Sequence, residues 1–353
     1  MIIIDRRQTM LTLYEEYKNL PFARLDALKG KTVLVTGATG LIGSCLVKAL
    51  ACAFDGKQDP PTLLALIRSR DKADRVFKDV PRENIKYVEG DVTRPLAVEG
   101  KVDYIVHAAS VTASRAFVDA PADTIFTALN GTKNMLDLAR EKQVSAFVYL
   151  SSMEVYGAPE TDEKIDETHS TNLNPMLPRT SYPESKRMCE SMVAAYKAQY
   201  GVNGMVLRLT QTFGRGVAYD DKRVFAEFAR CAIEGRDIVL HTKGETKRSY
   251  LYTLDAVTAI LALLVKGVPG EAYNAANEST YISIYDMARL VARVCGDGGT
   301  RVVVQDDDDG SRGYAPVLKM NLDTSKLRSL GWEARTGLED MFRVLASEMR
   351  LDA

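Results

Sequence analysis

Short, nearly continuous apolar runs recur along this chain, separated by stretches with helical spacing. "KTVLVTG" is the first, and "TLLALIR", "IKYVEGD", "VDYIVHAA", "AFVYLSS" and "GMVLRLT" follow it. Between several of them lie segments such as "PADTIFTALNGTKNMLDLAREKQ" and "PESKRMCESMVAAYKAQYG", whose apolar residues return every three or four positions. A strand covered on both faces needs no polar alternation, and parallel neighbours need a crossover, usually a helix. The pattern predicts an α/β chain built on a doubly wound parallel sheet.

The pattern loosens after Thr210. "VFAEFARCAIEGR" and "TYISIYDMARLVARVCG" read as helices, with short strands "IVLHT", "SYLYT" and "EAYNAAN" between them. Ahead of the first strand, "MLTLYEEYKNL" has helical spacing. The expected organisation is a helical extension over residues 1–30, a sheet domain over 31–210, and a smaller mixed α/β lobe over 211–353 with some strands returning to the main sheet.

Composition narrows the function classes. The formal net charge is -1 across 353 residues, which removes the electrostatic case for a nucleic-acid or membrane-surface partner. No apolar run reaches the roughly 20 residues a membrane span requires, and the start lacks a secretory pattern. Five cysteines without CxxC spacing read as reduced thiols of a cytoplasmic protein. The three histidines are far apart and form no zinc pattern. The run Asp306 to Gly310 lacks EF-hand spacing and reads as a solvated loop.

The first candidate chemistry is "TGATGLIG", a glycine-rich turn between the first strand and the first sheet helix. Gly37 permits a tight turn, Gly40 lets backbone approach a pyrophosphate, and Gly43 lets helix and sheet pack closely. With Thr39, Leu41 and Ile42 they form the start of a helix whose free N–H groups suit phosphates, as in a Rossmann-type fold. The second strand ends "IRSR" rather than in a carboxylate, and Arg68 there suits a ribose 2′-phosphate. NADP is therefore slightly favoured over NAD. Asp91 and Val92 end the third strand, where Asp91 would accept from the adenine amino group. Ala108, Ala109 and Ser110 end the fourth, where small side chains leave room for the middle of the cofactor.

"SYPESK" places Tyr182 and Lys186 one helical turn apart. An ammonium near a phenol favours phenolate, so Tyr182 would serve as a base near neutrality.

Taken in order, TGATGLIG, GDV, HAAS, SSMEVYG, YPESK, LRLTQTFGRG, KRSYLYTLDA and SKLRSLGW resemble the extended short-chain dehydrogenase/reductases, in particular the NAD-dependent epimerase/dehydratase family of nucleotide-sugar enzymes. The resemblance implies Tyr182 as catalytic base, Lys186 as its partner and ribose ligand, and Ser152 as a hydroxyl bridging substrate and tyrosine. It implies Arg248, and a second arginine near Arg312, on the substrate diphosphate. Gln211 and Arg215 stand where the family has Asn and Pro, at positions lining substrate or cofactor. A homodimer through the helix of Tyr182 and the helix before it is also implied, with Met188, Met192 and Val193 available for that face.

Within "SSMEVYG", Glu154 keeps a carboxylate, but Met153 stands where dehydratases of the family carry an acid. The leading expectation is a nucleotide-sugar epimerase working through a transient 4-keto sugar. The alternatives are a decarboxylase or dehydratase using Glu154 as base, an NADP-dependent keto-sugar reductase, and a non-enzymatic dinucleotide-binding regulator.

Overall fold

The computed structural model describes residues 6–112, 115–296, 298–305 and 317–352. Its centre is a parallel sheet. Strands β1 (Thr32–Thr36), β2 (Thr62–Ile67), β3 (Ile85–Glu89), β4 (Tyr104–His107), β5 (Ala146–Ser152) and β6 (Gly204–Leu209) are the apolar runs of the sequence. Strands β7 (Gln211–Phe213), β8 (Ile238–Leu240) and β9 (Lys247–Tyr252) follow, then β10 (Ala272–Ala275), β11 (Asn277–Ser283), β12 (Val302–Val304) and β13 (Lys319–Met320). The main sheet runs β10-β6-β5-β4-β1-β2-β3, so a strand from the C-terminal part closes one edge. From β1 the chain winds one way to β2 and β3, then returns to β4 on the other side of β1. That reversal opens a crevice beyond the C-terminal ends of β1 and β4, the place where such sheets bind ligands.

Helix α1 (Arg6–Lys18) precedes the sheet, and α2 (Leu41–Ala53) follows β1. Further helices are α3 (Arg70–Val76), the single turn α4 (Ala116–Asp119), α5 (Pro121–Glu141), α6 (Ser181–Tyr200), α7 (Val224–Ile233), α8 (Thr253–Lys266), α9 (Ile284–Cys295), α10 (Ser325–Ser329) and α11 (Leu338–Asp352). Helices α5 and α6 pack side by side and against the strands, while α2 packs on α8 and carries α1 on its outer side. The interior is correspondingly apolar: Leu34, Val35, Ile105, Phe147 and Leu207 are fully buried, as are most residues of α8.

One expectation changes. The "TYISIYDMARLVARVCG" stretch is not helical throughout, because residues up to Ser283 form β11 against β9. Ser283 then caps α9, its Oγ accepting from the Asp286 N–H at 3.0 Å, which fixes where strand gives way to helix. Val193, available either for an outer face of α6 or for its own sheet, is buried against the sheet, so close that a Cβ on Gly204 would lie 2.7 Å from Val193 Cγ1. Met188 stays exposed.

Candidate active site

The glycine turn sits at the reversal of the sheet. Gly37 has φ +63°, and a Cβ there would lie 2.9 Å from the Ala108 carbonyl carbon and the Ala109 nitrogen. The end of β1 thus rests on the backbone ending β4, and only glycine permits both the turn and the approach. Gly43 works differently from its expected role. A Cβ there would meet Gly37 O at 2.3 Å, so it lets α2 close onto the turn itself rather than onto the sheet. Gly40 occupies the N-cap of α2 without a side chain to bond the first turn. The N–H groups of the first turn, around Leu41, Ile42 and Gly43 behind Thr39, are left for an anion.

Behind this turn is a pair that the sequence did not announce. Thr36 Oγ1 accepts from the Ala109 N–H at 3.1 Å and pairs with His107 Nδ1 at 2.8 Å, locking β1 to β4. His107 is fully buried, and burial, helped by the charge of Lys186, holds its pKa down to about 3. Its only sequence signal was a histidine inside an apolar strand.

At the adenine end, Arg68 is exposed and lies 4.0 Å from Asp91 Oδ2. Asp91 spends its other oxygen on Thr93, accepting from the N–H at 2.9 Å and the hydroxyl at 2.8 Å, and these bonds hold its pKa below the usual carboxylate value. Arg70 is already engaged by Glu89 at 3.2 Å and by the Tyr87 ring. Val92 is buried, and its carbonyl accepts from Asn134 Nδ2 at 2.8 Å. Ser110 Oγ donates to the Val111 carbonyl at 3.3 Å. Ala108 and Ala109 keep the end of β4 free of bulk beside the uncapped first turn of α2, and that set of free N–H donors fits the phosphates of a dinucleotide.

The two serines that end β5 have different roles. Ser151 Oγ donates to Glu190 at 2.5 Å, and Glu190 is itself paired with Arg208 at 2.6 Å on the inner side of α6. Ser152 Oγ accepts from the Glu154 N–H at 3.2 Å and lies close enough to the Tyr182 phenol to pull its pKa down. Tyr182 stacks on Phe117 with ring centres 4.3 Å apart and planes 9° from parallel. Helix α6 thereby brings the phenol to the end of β5, next to Glu154.

Lys186 is not arranged as expected for an activating partner. Its ammonium is buried, donates to the Leu150 carbonyl at 2.7 Å, and lies 5.7 Å from the centre of the Tyr182 ring. Burial lowers its pKa to about 8. Tyr182 is pushed well above the ordinary phenol value, first by burial and then by the charge of Glu154, against which Ser152 and Arg179 pull it down. In the protein alone, desolvation outweighs the lysine.

Glu154 has a partner that the sequence reading passed over. Arg179, three residues before Tyr182, donates from Nη2 to Glu154 Oε2 at 3.0 Å, with its guanidinium 5.0 Å from the Phe117 ring centre. Both charged groups keep part of their surface in solvent. Met153, by contrast, is sealed among Val155, Tyr156, Ile165 and Leu322, where its sulfur accepts from Thr210 Oγ1 at 3.4 Å. It offers the site no donor.

Gln211 and Arg248 come together on neighbouring strands, the Arg248 Nη1 donating to Gln211 Oε1 at 3.1 Å, while the buried Nε of Arg248 has no protein partner among the described residues. Arg215 is elsewhere. Its guanidinium is buried between Glu16 and Glu348, so both its sides are occupied and none is presented to a substrate. Arg312 and the Asp306–Gly310 run lie outside the described residues. Among the described residues there is no cluster of side chains arranged to hold a metal, and no helix long and apolar enough to cross a membrane.

Known proteins resemble this chain in sequence and in fold. The family model "NAD dependent epimerase/dehydratase family" matches residues 33–276. The chain is 34% identical over 343 residues to UDP-glucuronic acid decarboxylase 1 of Xenopus tropicalis, covering 96% of this chain and 77% of that one. UDP-glucuronic acid decarboxylase 6 of Arabidopsis thaliana is 30% identical over 321 residues, covering 90% and 89%. Among solved structures, the UDP-glucose 4-epimerase of Thermotoga maritima has a TM-score of 0.75 at 22% identity, covering 91% of this chain and 99% of that one, a likeness of fold. With most of its length inside the family pattern and relatives at such identity along nearly all of it, the chain belongs to the NAD dependent epimerase/dehydratase family, the nucleotide-sugar-modifying branch of the extended short-chain dehydrogenase/reductases, and is an enzyme.

Proposed function

We propose that this enzyme decarboxylates a nucleotide-linked uronic acid, of the UDP-glucuronic acid type, through a 4-keto sugar. The observation that carries this reading is the Glu154–Arg179 pair beside Ser152 and Tyr182, in a chain whose curated relatives at 34% and 30% identity are UDP-glucuronic acid decarboxylases. It moves the alternative decarboxylase reading ahead of the epimerase expected from the sequence. The buried Met153 weighs against elimination of a 6-hydroxyl, which needs an acid where that thioether stands.

A nicotinamide dinucleotide bound at the glycine turn would supply the hydride acceptor and donor. Tyr182 takes the proton from the sugar 4-hydroxyl, relayed through or steadied by Ser152 Oγ. The resulting 4-ketone stands β to the carboxylate on C5, so the C5–carboxyl bond breaks with its electron pair delocalised into the ketone, and carbon dioxide leaves. The enolate left at C5 takes its proton from a solvent water, which Glu154, kept in place by Arg179, orients and then relieves of charge by relaying the proton. Tyr182 then returns its proton as the ketone is reduced.

The exposed Arg68 supports acceptance of NADP as well as NAD, and mass analysis of cofactor released on denaturation tests it. Five buried cysteines without disulfides suit a reducing, cytoplasmic setting. Exposed Phe126 on α5 and Met188 on α6 support a homodimer through these paired helices.

The test is incubation with UDP-glucuronic acid in heavy water, followed by proton NMR. Release of carbon dioxide with one deuterium at C5 of a pentose product is expected. An epimerised uronic acid without deuterium in the ring would return the epimerase to first place.

A further inference from the structure

The N-terminal helix does more than cover the outside of α2. Tyr17 is buried, and burial first, then the Cys45 thiol beside it one turn into α2 from the glycine loop, pushes its phenol well above the ordinary value. Its neighbour Glu16 reaches the other way. Glu16 Oε2 accepts from Arg215 Nε at 2.6 Å, and Glu16 Oε1 accepts from the Tyr252 hydroxyl at 2.7 Å. Glu348 of α11 holds the same loop from a third direction, taking Arg215 Nη1 at 2.9 Å and the Gly216 N–H at 2.9 Å.

The loop so held, residues 214–216, follows β7, which pairs with β9 outside the main sheet, and reaches α2. Gly214 sits at φ +137° against the Tyr252 ring, where an added Cβ would come within 2.3 Å of Cε2. A Cβ at Gly216 would lie 3.5 Å from Leu41 Cδ1, the first residue of α2. The loop therefore lies beside the helix N-terminus that offers N–H groups to phosphates. One side of that site is α2, packed against α1 at the buried Tyr17. The other is the 214–216 loop, tied to α1 through Glu16.

We propose that α1 is a clamp on the dinucleotide phosphate site, with Glu16, Tyr17 and Arg215 as positioning residues that keep α2 and the 214–216 loop together and so retain the cofactor between turnovers. This rests on the reading that the glycine turn takes a dinucleotide. The electrostatics favour a single seated state. Arg215, with a side chain only 6% exposed, is satisfied only while both carboxylates are present, and loss of one leaves a buried cation partly unpaired. Undocking of α1 thus removes together one of the two carboxylates that hold the loop and the Tyr17 packing on α2, leaving the loop on Glu348 alone.

The test is the rate of NADH release, followed by fluorescence in the full-length protein, with thermal unfolding measured in parallel. Glu16→Gln is expected to speed release at least tenfold while leaving the KM for the nucleotide sugar within twofold. Tyr252→Phe, which removes only the hydroxyl donated to Glu16, should speed it about threefold and guards against a Glu16 variant that fails to fold. Tyr14→Phe is the control, because it breaks the contact between Tyr14 and Asp55 at the far end of α2. It should lower the melting temperature yet leave release within twofold of the parent. Equal release from all variants, or release that tracks melting temperature across all of them, overturns the proposal. Failure of the parent itself to hold NADH or NADPH would instead overturn the cofactor reading on which the clamp depends.

Discussion

The cofactor side and the substrate side of this site are built by different means. At the crevice between β1 and β4, position is set by backbone. Gly37 lies on Ala108 and Ala109, Gly43 lies on Gly37, and the side chains of Thr36 and His107 are buried behind the turn. Around Tyr182, position is set by side chains from separate segments: Ser152 and Glu154 after β5, Arg179 before α6, and Phe117 from α4. The first arrangement tolerates no added atoms. The second tolerates change of shape but not loss of charge. The lesson is that the half serving a common cofactor is rigid and generic, whereas the half that chooses a reaction rests on replaceable contacts.

The sharpest way to break that contrast is to add one methyl group to the cofactor side. Gly43→Ala puts a Cβ 2.3 Å from Gly37 O, and the turn must shift. A cost of about 3 kcal/mol is expected, read as a fall of roughly 100-fold in NADH affinity. An affinity within threefold of the parent would show that the turn is not sterically defined.

On the substrate side the matching change keeps shape and removes charge. Glu154→Gln should lower kcat about 100-fold while NADH affinity stays unchanged, the size usual for a lost proton-transfer group. Arg179→Lys should show a smaller loss, because an ammonium keeps the charge but not the planar contact. If Glu154→Gln retains full kcat, the carboxylate is structural and the epimerase reading gains.

The buried His107 sharpens the contrast through pH. Its folded pKa, near 3, lies below the ordinary 6.5, so the unfolded chain takes up a proton first as pH falls. The stability it contributes is complete above pH 6.5 and declines as pH is lowered toward the folded value. About 2 kcal/mol should be lost between pH 6.5 and 4.5, before most carboxylates titrate. Denaturant unfolding at the two pH values measures it, and His107→Gln should flatten the slope.

The smallest effect is expected at Met153→Leu. The thioether packs in an apolar cluster and its one polar contact is a weak one from Thr210, so stability should change by less than about 1.5 kcal/mol and kcat by less than twofold. A large fall in kcat would give the sulfur a part in the chemistry that its burial denies.

These differences also explain what was legible in advance. The runs that became β1, β2, β4, β5 and β6 were readable because strands buried on both faces must be apolar throughout, whereas β3, at the sheet edge, exposes Lys86 and Glu89. The glycine spacing was readable because only glycine fits where backbone meets backbone. The Tyr182–Lys186 spacing was readable because one helical turn decides that both point the same way. Ser283 shows the limit: the Ser-Ile-Tyr-Asp spacing in "TYISIYDMARLV" offers an N-cap, but that the residues before it form a strand is decided by pairing with β9.

The sequence by itself determined the sheet, the glycine turn and the tyrosine–lysine helix, since each follows from periodicity or sterics within a few residues. Only the tertiary structure decided the partners of charged side chains. Arg179 meets Glu154 25 residues away, and Arg215 meets Glu16 and Glu348 from the two ends of the chain. An arginine carries the same charge wherever it stands, so its role is set by which carboxylate the fold brings within reach.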